Sequence, residues 1–242
     1  MPPILSPQKD PFGQAALDYY HGAQKAEIRV ISDVAVDDVI PAAYLFRTYQ
    51  QMPEWEQAAM DACGKKVLDI GAGVGSHSLF LQNLGHEVVA LDTSPGLISV
   101  MEARELAHPV HMDLWEYPPA SFDTLLLMMN GIGIVGDLKG LNRFLQKAPD
   151  WLAPGGQILL DSSDIRYLYE EGDLTYPVSS KRYYGIIRYQ MIYKDSQSDP
   201  FDWLYIDFER LSRHAEMFGF EATKIVDGGH FEYLASLKHK DF

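Results

Sequence analysis

The sequence predicts an α/β protein built on a largely parallel sheet, and three observations carry that prediction. From Lys66 to Asp161 short aliphatic runs alternate with amphipathic stretches, the pattern of strands that helices cover on both faces. The first of those runs leads through a glycine-rich turn, VLDIGAGVGSHS, into a helix. The composition is that of a globular chain: of 242 residues, 47% are hydrophobic and 22% charged, enough to bury a sizeable core and unlike a disordered or fibrous protein.

Ahead of the alternation lies an N-terminal extension, residues 1–65, that reads as mixed short elements. In it Ala26 to Ser32 alternates like a strand, Asp33 to Asp38 is acidic, and Met52 to Cys63 predicts a helix opened by Pro53. Next come the strand KVLDI, a helix from about Ser76 to Leu84, the strand EVVALD and a helix from Pro95 to Ala107. The strands PVHMD and FDTLLLMM, a helix from about Leu138 to Trp151 and the strand QILLD complete the alternation. After Asp161 the pattern changes. Arg182 to Lys194 and Phe201 to Asp207 alternate polar with apolar residues around the turn-rich DSQSDP, which predicts an antiparallel β insertion within Arg166 to Asp207. A helix from Phe208 to Phe218 closed by Gly219, then strands at Glu221 to Val226 and Phe231 to Lys238, end the chain.

Charge and cysteine content narrow the function classes. With 20 Lys and Arg against 34 Asp and Glu the formal charge is −14, which on average repels nucleic acid. The one basic cluster, Lys181, Arg182 and Arg188, is thin for a nucleic-acid surface. A single cysteine, Cys63, leaves no intrachain disulfide and suits a reducing, cytoplasmic setting. The Met1 to Asp10 start has three prolines and no apolar run, so no secretory signal is expected there. The apolar stretch Thr124 to Val135, interrupted by Asn130, Gly131 and Gly133, is too short to span a membrane. The eight histidines, including His230, show no paired metal-ligand spacing, and no metal site is expected.

The turn itself points to a ligand. Gly71, Ala72, Gly73 and Gly75 let the backbone approach a bound molecule while the helix start offers unpaired N–H groups. Asp92, about 20 residues after Gly71 at the end of the next strand, is suited to accept both hydroxyls of a ribose. A dinucleotide fingerprint needs Gly or Ala where this chain has Ser76, and Asp69 just before the loop would repel a diphosphate but welcome an ammonium group.

On these residues the chain resembles the class I S-adenosylmethionine-dependent methyltransferases. VLDIGAGVGSHSLFLQNLGHEVVALDTSP is similar to their first two motifs, MDLWEYPPASFDTLLLMM to the acidic turn and fourth strand, WLAPGGQILLD to the fifth strand, and LSRHAEMFGFEATKIV to the closing helix and sixth strand. The resemblance covers about Lys66 to Asp161 and Leu211 to Lys238. It implies a Rossmann-like seven-stranded, mostly parallel sheet with helices on both faces and an antiparallel last strand, in a domain of residues 66–242 capped by the extension. It also implies that Asp69, Gly71 and Gly73 flank the methionine part of S-adenosylmethionine, Asp92 the ribose, Thr93 and Asp113 with Leu114 the adenine, and Asn130 the sulfonium end.

Methyl transfer from a sulfonium needs alignment and exclusion of water more than acid–base chemistry, so few indispensable side chains are expected. Asn130 and His77 are the catalytic candidates, Asn130 at a strand's carboxyl end and His77 in the first turn of the helix after the glycine loop. Each also has a structural reading, as a turn cap or a loop contact. Asn130 is followed by Gly131-Ile132, not by the Pro-Pro-aromatic run of the nucleic-acid amino-methyltransferases. Two aromatic segments, Tyr44 to Tyr49 and the insertion with Tyr183, Tyr184, Tyr189, Tyr193, Trp203 and Tyr205, are expected to form a substrate lid over a mostly apolar pocket or else packing surface. Arg47 is suited to pair with a carboxylate of cofactor or substrate. The expected activity is methyl transfer to a small molecule. A non-catalytic cofactor-binding or scaffolding protein and a nucleotide-cofactor oxidoreductase stay open as alternatives.

Overall fold

The computed structural model describes residues 4–170, 182–229 and 231–241; part of the expected insertion, with Lys181, and also His230 lie outside the described residues. In chain order the elements are α1 (Pro11–Tyr20), β1 (Glu27–Ser32), β2 (Asp38–Pro41), α2 (Glu54–Ala62), β3 (Lys66–Ile70), α3 (Ser76–Asn83), β4 (Glu87–Asp92), α4 (Pro95–Ala103), β5 (Pro109–His111) and β6 (Phe122–Leu127). They continue with α5 (Leu138–Lys147), β7 (Leu152–Ser163), α6 (Tyr167–Glu170), β8 (Ile186–Tyr193), β9 (Ser196–Gln197), β10 (Phe201–Leu204), α7 (Phe208–Met217), β11 (Phe220–Asp227) and β12 (Glu232–His239). Seven strands form one mixed, mostly parallel sheet in the order β11-β12-β7-β6-β3-β4-β5, the architecture expected from the alternation and the resemblance. Among the described residues no helix is long and apolar enough to cross a membrane.

By contacts the chain divides into two compact units that cross the expected boundary at residues 65 and 66: Met1–Met52, Val67–Tyr117 and Tyr189–Phe201 form one, Pro53–Lys66, Pro118–Arg188 and Asp202–Phe242 the other. In the first unit, β1 pairs antiparallel with β2 and with β8, Arg29 lying opposite Ile192. The N-terminal extension and the insertion thus share a sheet, packed around Ile28, Val30, Met191 and Tyr193. Helix α1 was not anticipated. Asp10 caps it, its Oδ1 accepting from the Gly13 N–H at 2.9 Å, with Pro11 in the first turn. Its Gly13 meets Gly96 of α4 so closely that a Cβ on Gly96 would lie 2.6 Å from the Gly13 backbone. Two helices can approach this far only where neither carries a side chain.

In the second unit, β6 and β7 run parallel, and β12 pairs antiparallel with both β7 and β11. Leu125, Leu126 and Leu127 beside Leu159 and Leu160 are fully buried, as continuous apolar runs in a sheet covered on both faces should be.

Several boundaries differ from expectation. Helix α4 stops at Ala103 instead of Ala107, because Glu105 takes a left-handed conformation, φ 63°, that no helix continues through. Helix α5 stops at Lys147 and not Trp151, since Pro149 has no N–H to donate and its ring would strike the preceding turn. The expected strand from Arg182 begins only at Ile186, the one to Asp207 ends at Leu204, and DSQSDP holds the short strand β9.

Candidate functional site

The first unit gathers nearly every residue of the expected cofactor site. Asp69 is the penultimate residue of strand β3, and after Ile70 the chain reverses through Gly71, Gly73 and Gly75 with φ of 76°, 61° and 75°. The Gly71 N–H donates to the Leu91 carbonyl at 2.8 Å, which fixes the loop against the end of β4. At Gly73 nothing lies within 4 Å of where a Cβ would stand, so the loop encloses open space on that side.

Asp92 lies against this space, 7% exposed. Its Oδ2 accepts from the Gly73 N–H at 3.0 Å and its Oδ1 from the Ser94 N–H at 2.9 Å. Burial pushes its carboxyl up to about 6, against the pull of the Ser94, Gly73 and Thr93 amides; the neighbouring Asp10 adds to the rise. Backbone amides take part of its accepting capacity, and what remains can accept from a ligand hydroxyl.

Asp69 is also buried, and Ser78 Oγ donates to its Oδ2 at 2.6 Å. Burial raises its pKa, opposed by the charge of His77 and by the Ser78 hydroxyl. His77 itself is buried in the first turn of α3. Thr93 is buried, its carbonyl facing His111 Nε2 at 3.0 Å; Asp113 accepts from the Trp115 N–H at 2.9 Å, and Leu114 is fully buried beside it.

The segment carrying Arg47 also lies in this unit: Ser76 Oγ donates to the Leu45 carbonyl at 2.7 Å, and Tyr49 stacks on Phe80 at 4.3 Å. Arg47 Nε donates to the Tyr44 carbonyl at 3.0 Å and its guanidinium lies 3.8 Å over the Tyr44 ring. The N-terminal segment Tyr44 to Tyr49 is thereby tied to the helix that follows the glycine loop.

Asn130 belongs to the second unit. It and Met129 both take left-handed conformations, φ 55° and 64°, a strained pair for residues with side chains. The turn is held by β7: the Asn130 N–H donates to Asp161 Oδ1 at 2.8 Å, and Ser163 Oγ donates to Asn130 Oδ1 at 3.0 Å. Asn130 is therefore fixed by a carboxylate and a hydroxyl, which is more than a turn cap requires.

Comparison with known proteins gives this geometry its family. A methyltransferase domain family matches residues 67–156. A crystal structure of an S-adenosylmethionine-dependent methyltransferase from Bacteroides fragilis, in complex with S-adenosyl-L-homocysteine, superposes with a TM-score of 0.90 at 45% identity, covering 97% of this chain and 96% of that one. The chain belongs to the S-adenosylmethionine-dependent methyltransferases. Demethylmenaquinone methyltransferase of Tropheryma whipplei is 26% identical over 151 residues, 58% of this chain and 60% of that protein. The tRNA U34 carboxymethyltransferase of Idiomarina loihiensis is 26% identical over 189 residues, 72% of this chain and 52% of that protein. The match thus spans little more than half of either curated relative.

As a methyltransferase, the chain has a loop that suits the family's cofactor: a glycine-lined space beside a buried acid can take a ribose and an amino-acid tail. Among the described residues no group of three or more His, Cys, Asp and Glu could hold a metal ion. One residue of this site escaped the sequence reading. Asp10, 1% exposed, accepts from Ser94 Oγ at 2.7 Å and the Gly96 N–H at 3.0 Å as well as from Gly13, so one carboxylate ties α1 to the turn after Asp92. Its local signal, Asp before Pro at a helix start, was legible; its long-range partners were not.

Proposed function

We propose that this methyltransferase transfers a methyl group from S-adenosylmethionine to a small-molecule acceptor in the cytoplasm. The observation that carries the cofactor half is Asp92, buried with its carboxylate between the Gly73 and Ser94 amides beside open space. In this reading Asp92 accepts the ribose hydroxyls, Asp69 faces the ammonium group, and Gly71, Ala72, Gly73 and Gly75 bring the backbone to the methionine part. Thr93, Asp113 and Leu114 border the adenine, and Arg47 pairs with the carboxylate. When bound, S-adenosylmethionine supplies a methyl on a positively charged sulfur. The chain's own task is then to align the acceptor and exclude water. Asn130, held by Asp161 and Ser163, orients what approaches the sulfonium end, and buried His77 tunes Asp69. Residues 1–65 act as a cap, and the insertion after β7 supplies the acceptor's side of the pocket.

The small-molecule half is supported by the demethylmenaquinone methyltransferase relative and by the net charge of −14. An RNA acceptor is the second reading, carried by the tRNA-modifying relative.

Thermal shift tests the cofactor: S-adenosylhomocysteine at about 100 times its dissociation constant should stabilise by about 2.7 kcal/mol, and NAD should not. A larger shift with NAD would overturn the assignment. Arg47→Ala should weaken S-adenosylhomocysteine about tenfold or more if the guanidinium holds its carboxylate. Unchanged cofactor affinity with reduced turnover would move Arg47 to the acceptor. Salt-dependent RNA binding would favour the second reading.

A further inference from the structure

We propose that Asp10 is a positioning residue of the cofactor site: through Ser94 it holds the Asp92 carboxylate in the orientation that receives the ribose. Cofactor affinity then depends on the N-terminal segment as well as on the glycine loop. The inference rests on the reading of Asp92 as the ribose acceptor and adds a residue outside the motifs that carry the family resemblance. Every group it uses lies in the first unit.

The start of a helix asks its cap for one acceptor, and Asp10 provides it with Oδ1, which takes the Gly13 N–H at 2.9 Å. The second oxygen reaches residues 84 and 86 positions along the chain: Ser94 Oγ donates to Oδ2 at 2.7 Å and the Gly96 N–H at 3.0 Å. Ser94 is the link to the ligand. Its backbone N–H donates to Asp92 Oδ1 at 2.9 Å, while its Oγ also accepts from the Leu97 N–H at 3.0 Å and so caps α4. Asp10, Ser94 and Asp92 are thus joined in series, and all three are buried. One residue before Ser94, the Thr93 carbonyl accepts from the Leu5 N–H at 3.0 Å. The segment ahead of α1 therefore holds two successive residues of the turn that follows Asp92.

A carboxylate at position 10 does more than capping requires. Asn or Ser caps a helix about as well as Asp. Either would also spare Asp92 a buried like charge, since Asp10 adds to the rise of the Asp92 pKa. What the carboxylate alone supplies is a second accepting oxygen on the same side chain. Asn in its place has one oxygen, so with Gly13 capped its amide nitrogen would meet the Gly96 N–H donor to donor. The turn would then be released from α1, and the Ser94 N–H from its fixed direction toward Asp92. An acceptor already held in place binds more tightly than one its ligand must order.

Calorimetry on the full chain tests this with S-adenosylhomocysteine and with adenosine, which keeps the ribose and adenine and lacks the methionine part. Asp10→Asn should weaken both ligands about fivefold or more, because the change falls at the ribose. In an Asp92→Asn background the same substitution should cost less than about twofold, since the residue through which Asp10 acts is already altered. A role in folding alone would lower stability and leave both affinities unchanged. Tyr20→Phe is the control: it removes the bond from the Tyr20 hydroxyl to the Ala103 carbonyl, which ties α1 to α4 at their C-terminal ends, and should leave both affinities as they were. Ser94→Ala breaks the same link from its other side and should weaken both ligands too, so it reads the link even if Asp10→Asn fails to fold. Wild-type affinity in Asp10→Asn or Ser94→Ala would overturn the inference. So would an unchanged affinity for adenosine, an equal loss in Tyr20→Phe, or equal losses from Asp10→Asn with and without Asp92. Unchanged S-adenosylhomocysteine affinity in Asp92→Asn would instead overturn the placement of the ribose, and the inference with it.

Discussion

Lowering the pH from 8 to 5 should weaken S-adenosylhomocysteine binding about tenfold, through Asp92 alone. Only its ionised carboxylate can accept both ribose hydroxyls while also accepting from the Gly73 and Ser94 amides. With the carboxyl raised to about 6, nearly all of it is ionised at pH 8 and about one part in eleven at pH 5. The dissociation constant rises by the same factor, about 1.4 kcal/mol. Stability of the ligand-free protein runs the other way. The folded state holds this proton more tightly than the unfolded one, so the penalty is absent below the ordinary 3.8, grows as pH climbs through about 6, and reaches about 3 kcal/mol above it. Acid should therefore relieve Asp92 in the empty protein while costing it the ligand. Calorimetry at half-unit steps reads the effect. Asp92→Asn should bind more weakly at pH 8 and lose the slope. A slope kept in Asp92→Asn and lost in His77→Gln would refute this reasoning and move the titration to the histidine beside Asp69.

Two further substitutions probe the architecture of the same unit. Gly96→Ala brings a Cβ to 2.6 Å from the Gly13 backbone, which cannot swing aside as a side chain would, so urea unfolding should show a loss of about 1–3 kcal/mol. Wild-type stability would mean that α1 does not dock on α4. Gly73→Ala meets open space but must hold φ 61°, costing the fold only about 1–2 kcal/mol, while its methyl enters the ligand's volume. Its S-adenosylhomocysteine affinity should fall by tenfold or more, and an unchanged affinity would move the ligand away from the loop.

What the sequence made legible was local. Strands β3 and β4 fall on KVLDI and EVVALD because a strand buried on both faces leaves an unbroken aliphatic run, and the turn between them needs glycines whose spacing is visible directly. Helix α1 was hidden by its own Gly13, a poor helix former kept for its approach to Gly96, some eighty residues away. Arg166 and Arg210, which line one cavity of the second unit, share the difficulty: Arg166 follows β7 and Arg210 lies in the first turn of α7, and nothing near either one signals the other. Asp10 lies between these cases, a recognisable cap with an unrecognisable second duty.

The pairing of Arg29 with Ile192 matters to anyone who would retarget this scaffold. Exchanging the segment after β7 for a relative's would strip β1 of a ladder of hydrogen bonds and expose Ile28 and Val30, which pack on Met191 and Tyr193. The two stretches, distant along the chain, are one inheritable part. A chimera should carry residues 27–41 together with 186–204, and libraries that vary either half alone will be filled mostly with unfolded variants.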